Sequence, residues 1–239
     1  MKMSRIQLGD IAVDVVLKDI KNVHLSVYPP TGRVRISAPR RMSIDTIRVF
    51  AISKMDWIKK QQTKVQEQER ETPRDYVDRE SHSIWGKRYL LTVFESDEPP
   101  SIELRHSHIL LRVRPRTDRH KRQGLVEAWY REQLKKAVPP LLTRWQPVLG
   151  VRVERVFMQR MKTKWGSCNH EVHTIRLNTE LAKKPPSCLE FVLVHEMVHL
   201  LERHHNDRFR VYMDEFMPQW RLHKDELNRS PLRHETWSY

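Results

Sequence analysis

The spacing of apolar residues changes along the chain, and each change predicts an element. Residues 4–17 alternate loosely through Ile6, Leu8, Ile11, Val13 and Val15, as two strands turning at Gly9-Asp10 would. Val23, Leu25 and Val27, then Val34, Ile36 and Ala38, alternate on either side of Pro29-Pro30-Thr31-Gly32, which predicts a β-hairpin. Ser43, with Asp45 behind it, predicts the cap of one helix carrying Ile47, Phe50, Ala51, Met55, Trp57 and Ile58. Beyond Ile58 apolar residues nearly vanish as far as Glu71, so an exposed helix end or a hinge before Pro73 is expected. Residues 83–93 and 102–113 read as further strands, the second placing His106 and His108 on one face. One strand offers a metal only that pair, so these two read as exposed or hydrogen-bonded.

From Asp118 to about Trp145 the period returns to that of a helix, with Leu125, Val126, Trp129, Tyr130, Leu134 and Val138 in phase. Pro139-Pro140 is expected to kink or interrupt it. Residues 151–158 and 174–177 are strand candidates. Between them Gly166 permits close backbone approach or an unusual φ. The strand over Ile175-Arg176-Leu177-Asn178 is read either as a core strand or as an edge that pairs with an extended peptide.

The most informative stretch follows Pro185-Pro186. Ser187 and Glu190 have the spacing of a capping box, and from Leu189 to Leu201 the residues are apolar on nearly every side, as in a buried helix. The polar residues in its middle are His195, Glu196 and His199. Buried polar groups are costly without partners, and metal ligation removes that cost. Histidines four apart lie about 40° apart around a helix, so both imidazoles reach one ion. Glu196 is then placed to take a proton from a water, the H-E-x-x-H arrangement of zinc hydrolases.

A third ligand is needed, and His204, His205, Asp214, Glu215 and Glu226 are the candidates. On a continuous helix His204 and His205 would point roughly 140° and 240° away from His199. The helix must therefore end near residues 202–204, with Asn206 suited to a left-handed turn. His205 is favoured and His204 is expected to be exposed or beside the site. Asp207 then caps a second helix, with Phe209, Val211, Tyr212, Met213 and Phe216 packing under the site. The tail from Leu222 is expected to be loosely attached.

Composition adds bounds. At 239 residues, 38% hydrophobic and 31% charged, the chain suits one large or two small soluble domains, and its apolar runs are too short for a membrane span. A boundary near 115 separates a β-rich N-terminal part, 1–115, from a catalytic part, 116–239. No apolar signal core opens the sequence, so a cytoplasmic protein is expected. Cys168 and Cys188 make no disulfide framework; Cys188 reads as packing and Cys168 as a residue near the site. The net charge of +14 is spread along the chain and would attract polyanions non-specifically, nucleic acid included, although no groove-reading motif is present.

Taken together, His195-Glu196-Met197-Val198-His199, His205 and Asn206-Asp207-Arg208-Phe209 resemble the YgjP-like metallopeptidase family, a relative of SprT and WLM zincin-type domains. Lys162-Thr163-Lys164-Trp165-Gly166-Ser167-Cys168, Ile175-Arg176-Leu177-Asn178 and Leu181 resemble it too, and Gly32 to Pro39 and Trp57-Ile58 more loosely. The spacing equals that of metzincins, but Glu202 stands where they place glycine. The resemblance implies an α+β fold: an antiparallel N-terminal β platform, then a zincin-like catalytic domain with a buried H-E-x-x-H helix. It implies zinc, or another divalent transition metal, on His195, His199 and His205, with Glu196 as general base. Trp165, Gly166, Ser167 and Asn178 are candidate substrate contacts, and Arg160, Lys162, Lys164 and His170 candidate oxyanion donors.

The function expected is a zinc-dependent hydrolase acting on peptides. One alternative is a nucleoside triphosphate, such as UTP, cleaved to monophosphate and pyrophosphate at the same metal. Another class altogether is a basic accessory protein, bound to nucleic acid or a complex, with a closed structural metal site. The sequence sets no oligomeric state.

Overall fold

Alternating segments become three small sheets, and the periodic ones become helices packed on them. The computed structural model describes residues 3–28, 31–67, 74–161 and 164–229. In the first sheet the strands β1 Met3–Leu8, β2 Ile11–Lys18, β3 His24–Tyr28 and β4 Arg33–Pro39 lie in the order β1-β2-β4-β3. Both expected hairpins are present and antiparallel, but β2 and β4 run parallel, so the platform is mixed rather than antiparallel throughout. The inner positions go to the strands with the strongest apolar alternation: Val13, Val15, Val34, Ile36 and Ala38 are all fully buried. Each inner strand shields the other's flank, which an edge position would not provide. Pro29 and Pro30 of the second turn lie outside the described residues.

Ile47, Ala51 and Ile58 close this core from α1 Ile44–Ser53 and α2 Met55–Glu67. Ser43 caps α1 as expected, its Oγ accepting from Thr46 N. The single helix read from sequence is two, because Ser53 Oγ donates to Phe50 O and Lys54 N to Ala51 O, a tightened turn that ends α1.

A second compact unit begins at Arg74. Its sheet, β5 Ser81–Ile84, β6 Lys87–Glu95, β7 Ser101–Arg105 and β8 His108–Val113, has the order β5-β6-β8-β7, with β6 and β8 parallel. That is the connectivity of the first sheet again. The strand expected through His106 and His108 is instead a hairpin, with His106 in the turn at φ 38°, so the two histidines share no strand face. Ile84, Leu91, Ile109, Leu111 and Val113 of this sheet pack in one core with the helices and strands that follow. The expected boundary near 115 therefore cuts through a continuous core, and the division falls some forty residues earlier, before Arg74.

The long helix α3, Arg119–Leu149, is capped by Asp118 and ended by Gly150 in a left-handed conformation. Pro139 and Pro140 do not interrupt it. The carbonyls they leave without donors belong to Lys135 and Lys136, both exposed, so water can satisfy them. Next come β9 Arg155–Gln159, β10 Gly166–Asn169 and β11 Thr174–Asn178 in the order β10-β11-β9, and a 3-10 turn Thr179–Lys183. Three helices end the described chain: α4 Pro186–Val198, α5 Asp207–Phe216 and α6 Trp220–Arg229. Among the described residues no helix is long and apolar enough to cross a membrane.

The start of α4 is fixed from three sides. Trp85 and Gly86, at the β5–β6 turn, donate their N–H groups to the carbonyls of Ala182 and Lys183. A side chain at 86 would place its Cβ 2.9 Å from Pro185 Cγ, so the turn needs glycine for contact as well as for its φ of +78°. The expected capping box does not form: no side chain caps α4, whose first turn is set by proline. Ser187 Oγ donates to Glu226 on α6, and Glu190 Oε1 accepts from Trp145 Nε1 (2.8 Å) and Arg144 Nη1 (2.9 Å) on α3.

Glu190 is thus a tether between helices. Glu190→Ala should lower unfolding stability by about 1–3 kcal/mol by leaving the Trp145 indole N–H without its acceptor. In a double-mutant cycle by denaturant titration, the coupling should be to Trp145→Phe and absent with Ser187→Ala.

Candidate metal centre

The fourth helix is apolar on every side, with Leu189, Val192, Leu193, Val194, Met197 and Val198 all buried. It ends sooner than expected: Val198 is its last residue and His199 its C-cap. Leu200, Leu201 and Glu202 turn on hydrogen bonds to the carbonyls of Met197 and Val198, and Glu202 O comes 3.0 Å from His199 Nδ1. That contact fixes the imidazole and leaves its Nε2 free for a ligand. The early stop gives the chain room to return. His205 Nε2 lies 3.0 Å from His195 Nε2, and one ligand nitrogen from each of His195, His199 and His205 falls within 4.8 Å of the others.

Asn206 does not take the left-handed turn expected of it. At φ −90° it caps α5, its Oδ1 accepting from Phe209 N, in the role expected of Asp207. The cap drives Phe209 under the site, where its ring centroid is 4.9, 4.7 and 4.8 Å from those of His195, His199 and His205. Phe209 and Met213 are buried and Tyr212 and Phe216 partly so, whereas Val211 faces solvent.

Glu196 is buried against β10. A Cβ on Gly166 would lie 2.6 Å from Glu196 Oε1 and 2.7 Å from its Cγ, so the strand approaches this closely only with glycine there. Burial raises the Glu196 carboxyl from 4.5 to about 7, with Lys164 pulling the other way. Burial lowers His195 to about 3, reinforced by His199, His205 and Lys224. His199 and His205 are lowered as well, chiefly by burial. All three imidazoles are therefore neutral at neutral pH, as metal ligation requires.

These donors fit a divalent transition metal. Ligand nitrogens about 2.05 Å from a tetrahedral zinc stand roughly 3.3 Å apart, close to the 3.0 Å between His195 and His205. His195 Nδ1 is buried without a hydrogen-bond partner, and three imidazoles suit zinc, copper, iron or nickel. His204 is exposed, and neither it nor Asp214, Glu215 or Glu226 joins the cluster among the described residues.

A cleft of about 800 Å³ opens over the centre. Trp165, Gly166, Ser167, Cys168, Lys164 and His170 line it as the sequence suggested. Asn178 does not: its amide donates to Met161 O (2.8 Å) and Lys164 O (2.9 Å), bracing the segment that carries Trp165. Arg160 pairs with Glu127, and Lys162 lies outside the described residues. The central strand is β11, paired on both sides, so the free edge near α4 belongs to β10. Burial raises the Cys168 thiol to about 11, with Glu196 adding to it, so it stays protonated. Phe191, Arg203, Arg210, Trp220 and Lys224 also line the cleft, and sequence reasoning passed over all five. Only the H-E-x-x-H register could have flagged Phe191, one helical turn before His195. The other four reach the cleft by tertiary folding.

A model of the YgjP-like metallopeptidase domain matches residues 21–230. No curated protein matches the chain. Similar solved structures include the metallopeptidase zymogens of Pyrococcus abyssi abylysin and of Methanocaldococcus jannaschii jannalysin. The first is 20% identical over 38% of this chain and 90% of its own, with a TM-score of 0.35. The second is 18% identical over 38% of this chain and 85% of its own, with a TM-score of 0.33.

Two outcomes follow for metal-free protein. Because the folded pKa of Glu196 is raised, the folded state holds a proton that the unfolded chain has released between pH 4.5 and about 7. Wild type therefore loses stability as pH rises through that window. Glu196→Gln should match wild type below about pH 4 and exceed it by about 3 kcal/mol above pH 8, read by denaturant titration. Gly166→Ala should cost about 1–3 kcal/mol through the clash with Glu196, and most of that should vanish in the Glu196→Ala background.

Proposed function

Since the chain belongs to the YgjP-like metallopeptidase family, we propose that this metal-dependent hydrolase cleaves peptide bonds at a zinc site formed by His195, His199 and His205. Another divalent transition metal of similar coordination would serve the same ligands. The observation that carries the reading is the convergence of three neutral imidazoles beside one buried carboxylate, on the floor of a cleft. Zinc bound there supplies Lewis-acid activation of water and of a carbonyl oxygen.

The chain's own groups do the rest. Glu196, buried beside the imidazoles, is placed to take a proton from the attacking water and return it to the leaving amine. Burial places that exchange out of bulk solvent. The unpaired side of β10 offers backbone groups to an extended peptide, in the manner of an added strand. Lys164 and His170 line the cleft and are the remaining candidates for stabilising charge on the carbonyl oxygen. Trp165 and Ser167 are proposed as cleft contacts for substrate, Gly166 as the point of closest approach, and Asn178 as the brace behind them.

An open catalytic site is favoured over a closed structural one by the fate of the neighbouring acids. Asp214 is held by Trp220 Nε1 and Arg221, and Glu226 by Ser187 and Cys188, so neither supplies a fourth ligand.

The test is metal content by elemental analysis alongside hydrolysis of a mixed peptide library. Wild type should carry one zinc per chain. Glu196→Gln should keep the metal and lose activity by roughly 10²–10⁴-fold, while His205→Ala should lose metal and activity together. Full activity in Glu196→Gln would sink the assignment of the base. Cleavage of UTP in place of any peptide would transfer the same centre to nucleotide chemistry.

A further inference from the structure

The cleft sorts charge in a way that the helices around it do not. Its described lining includes four cations drawn from four different segments: Lys164 before β10, Arg203 after α4, Arg210 on α5 and Lys224 on α6. Glu196 is the only carboxylate that lines it among the described residues. The two helices that supply Arg210 and Lys224 are themselves rich in acids, carrying Asp207, Asp214, Glu215, Asp225 and Glu226. None of those five lines the cleft. Asp214 is turned to Arg221 and Trp220, Glu226 to Ser187 and Cys188, and Asp207 pairs with Arg210.

Lys164, Arg203 and Lys224 are exposed, and among the described residues none of the three forms an ion pair. Lys164 reaches the cleft from the segment before β10, and Lys224 from α6. Lys224 is held on the aromatic wall, its Nζ 5.5 Å from the centre of the Trp220 ring, and Trp220 in turn stacks on Phe191 at 6.5 Å. An ammonium on an aromatic wall at the mouth of a concave site is a receptor for a carboxylate with apolar neighbours. The field of several like charges in a cleft also concentrates anions there.

We propose that the cleft selects peptides bearing carboxylates close to the cleaved bond, with Lys224 as the specificity-determining contact and the other lining cations adding to the field. The inference rests on the peptidase reading and adds its substrate class. A substrate carboxylate has two sources, an acidic side chain or the chain terminus, and both present the same oxygens to Lys224.

The test uses full-length zinc-loaded protein and matched decapeptides carrying Glu, Gln or Lys at the positions flanking the bond, each made with a free and an amidated C-terminus. Cleavage is followed by mass spectrometry. Binding of the same peptides to metal-free protein is followed separately by anisotropy with an uncharged dye. Acidic peptides should lead neutral ones by roughly three- to tenfold in kcat/KM and in affinity. The lead should shrink towards unity in 0.5 M salt, as roughly expected from a Debye length of about 4 Å. Lys224→Gln should reduce it, and Lys224→Glu should invert it in favour of lysine-bearing peptides.

If the lead disappears on amidation, the carboxylate recognised is the chain terminus, which supports the inference and fixes its source. Equal cleavage of the three series, or a lead unchanged in both Lys224 variants, overturns it. If no peptide is cleaved at all, the peptidase reading fails, and the anisotropy series alone decides whether the cleft prefers carboxylates. UTP displacing the acidic peptides at far lower concentration overturns the substrate class in favour of phosphate.

Discussion

Everything at the centre depends on how closely one strand approaches one helix. The carboxyl of Glu196 fills the space that a side chain at 166 would need. Burial there lifts the carboxyl's pKa to about 7. The arrangement is then braced from behind. Asn178 holds the segment before β10 through the carbonyls of Met161 and Lys164, and the turn at Trp85-Gly86 sits against the residues leading into α4.

Much of this could be read in the sequence because it is written in local chemistry. The His195–His199 spacing, the need for the chain to turn before His205, the glycine at 166 and both N-terminal strand pairs depend on residues a few positions apart. Where local rules had rivals, the outcome went to distant partners. Ser187 and Glu190 have capping-box spacing, yet Glu226, Trp145 and Arg144 claim them. Asn206 and Asp207 are both competent caps, and the cap went to the residue that drives Phe209 into the core. Lys224 and Trp220 reach the cleft only because α6 folds back on α4, and no periodicity announces that.

The sheets teach a related lesson. Both four-stranded sheets carry two antiparallel hairpins joined by a parallel inner pair, although their sequences show no repeat. Alternation specifies strands and turns but not which strands become neighbours. That choice follows from which residues bury best. The same blindness explains the domain boundary. Composition changes near Pro115, but the apolar faces of β6 and β8 belong to the core of α3 and α4.

Phe209 gives the centre a property of its own. Its ring stands at nearly equal distance from all three imidazoles, so one hydrocarbon wedge packs against every candidate ligand. Rotamer freedom is surrendered when the core forms, ahead of any coordination. The order of the three imidazoles is thereby tied to the packing of one aromatic ring, and a change at 209 would reach all of them at once.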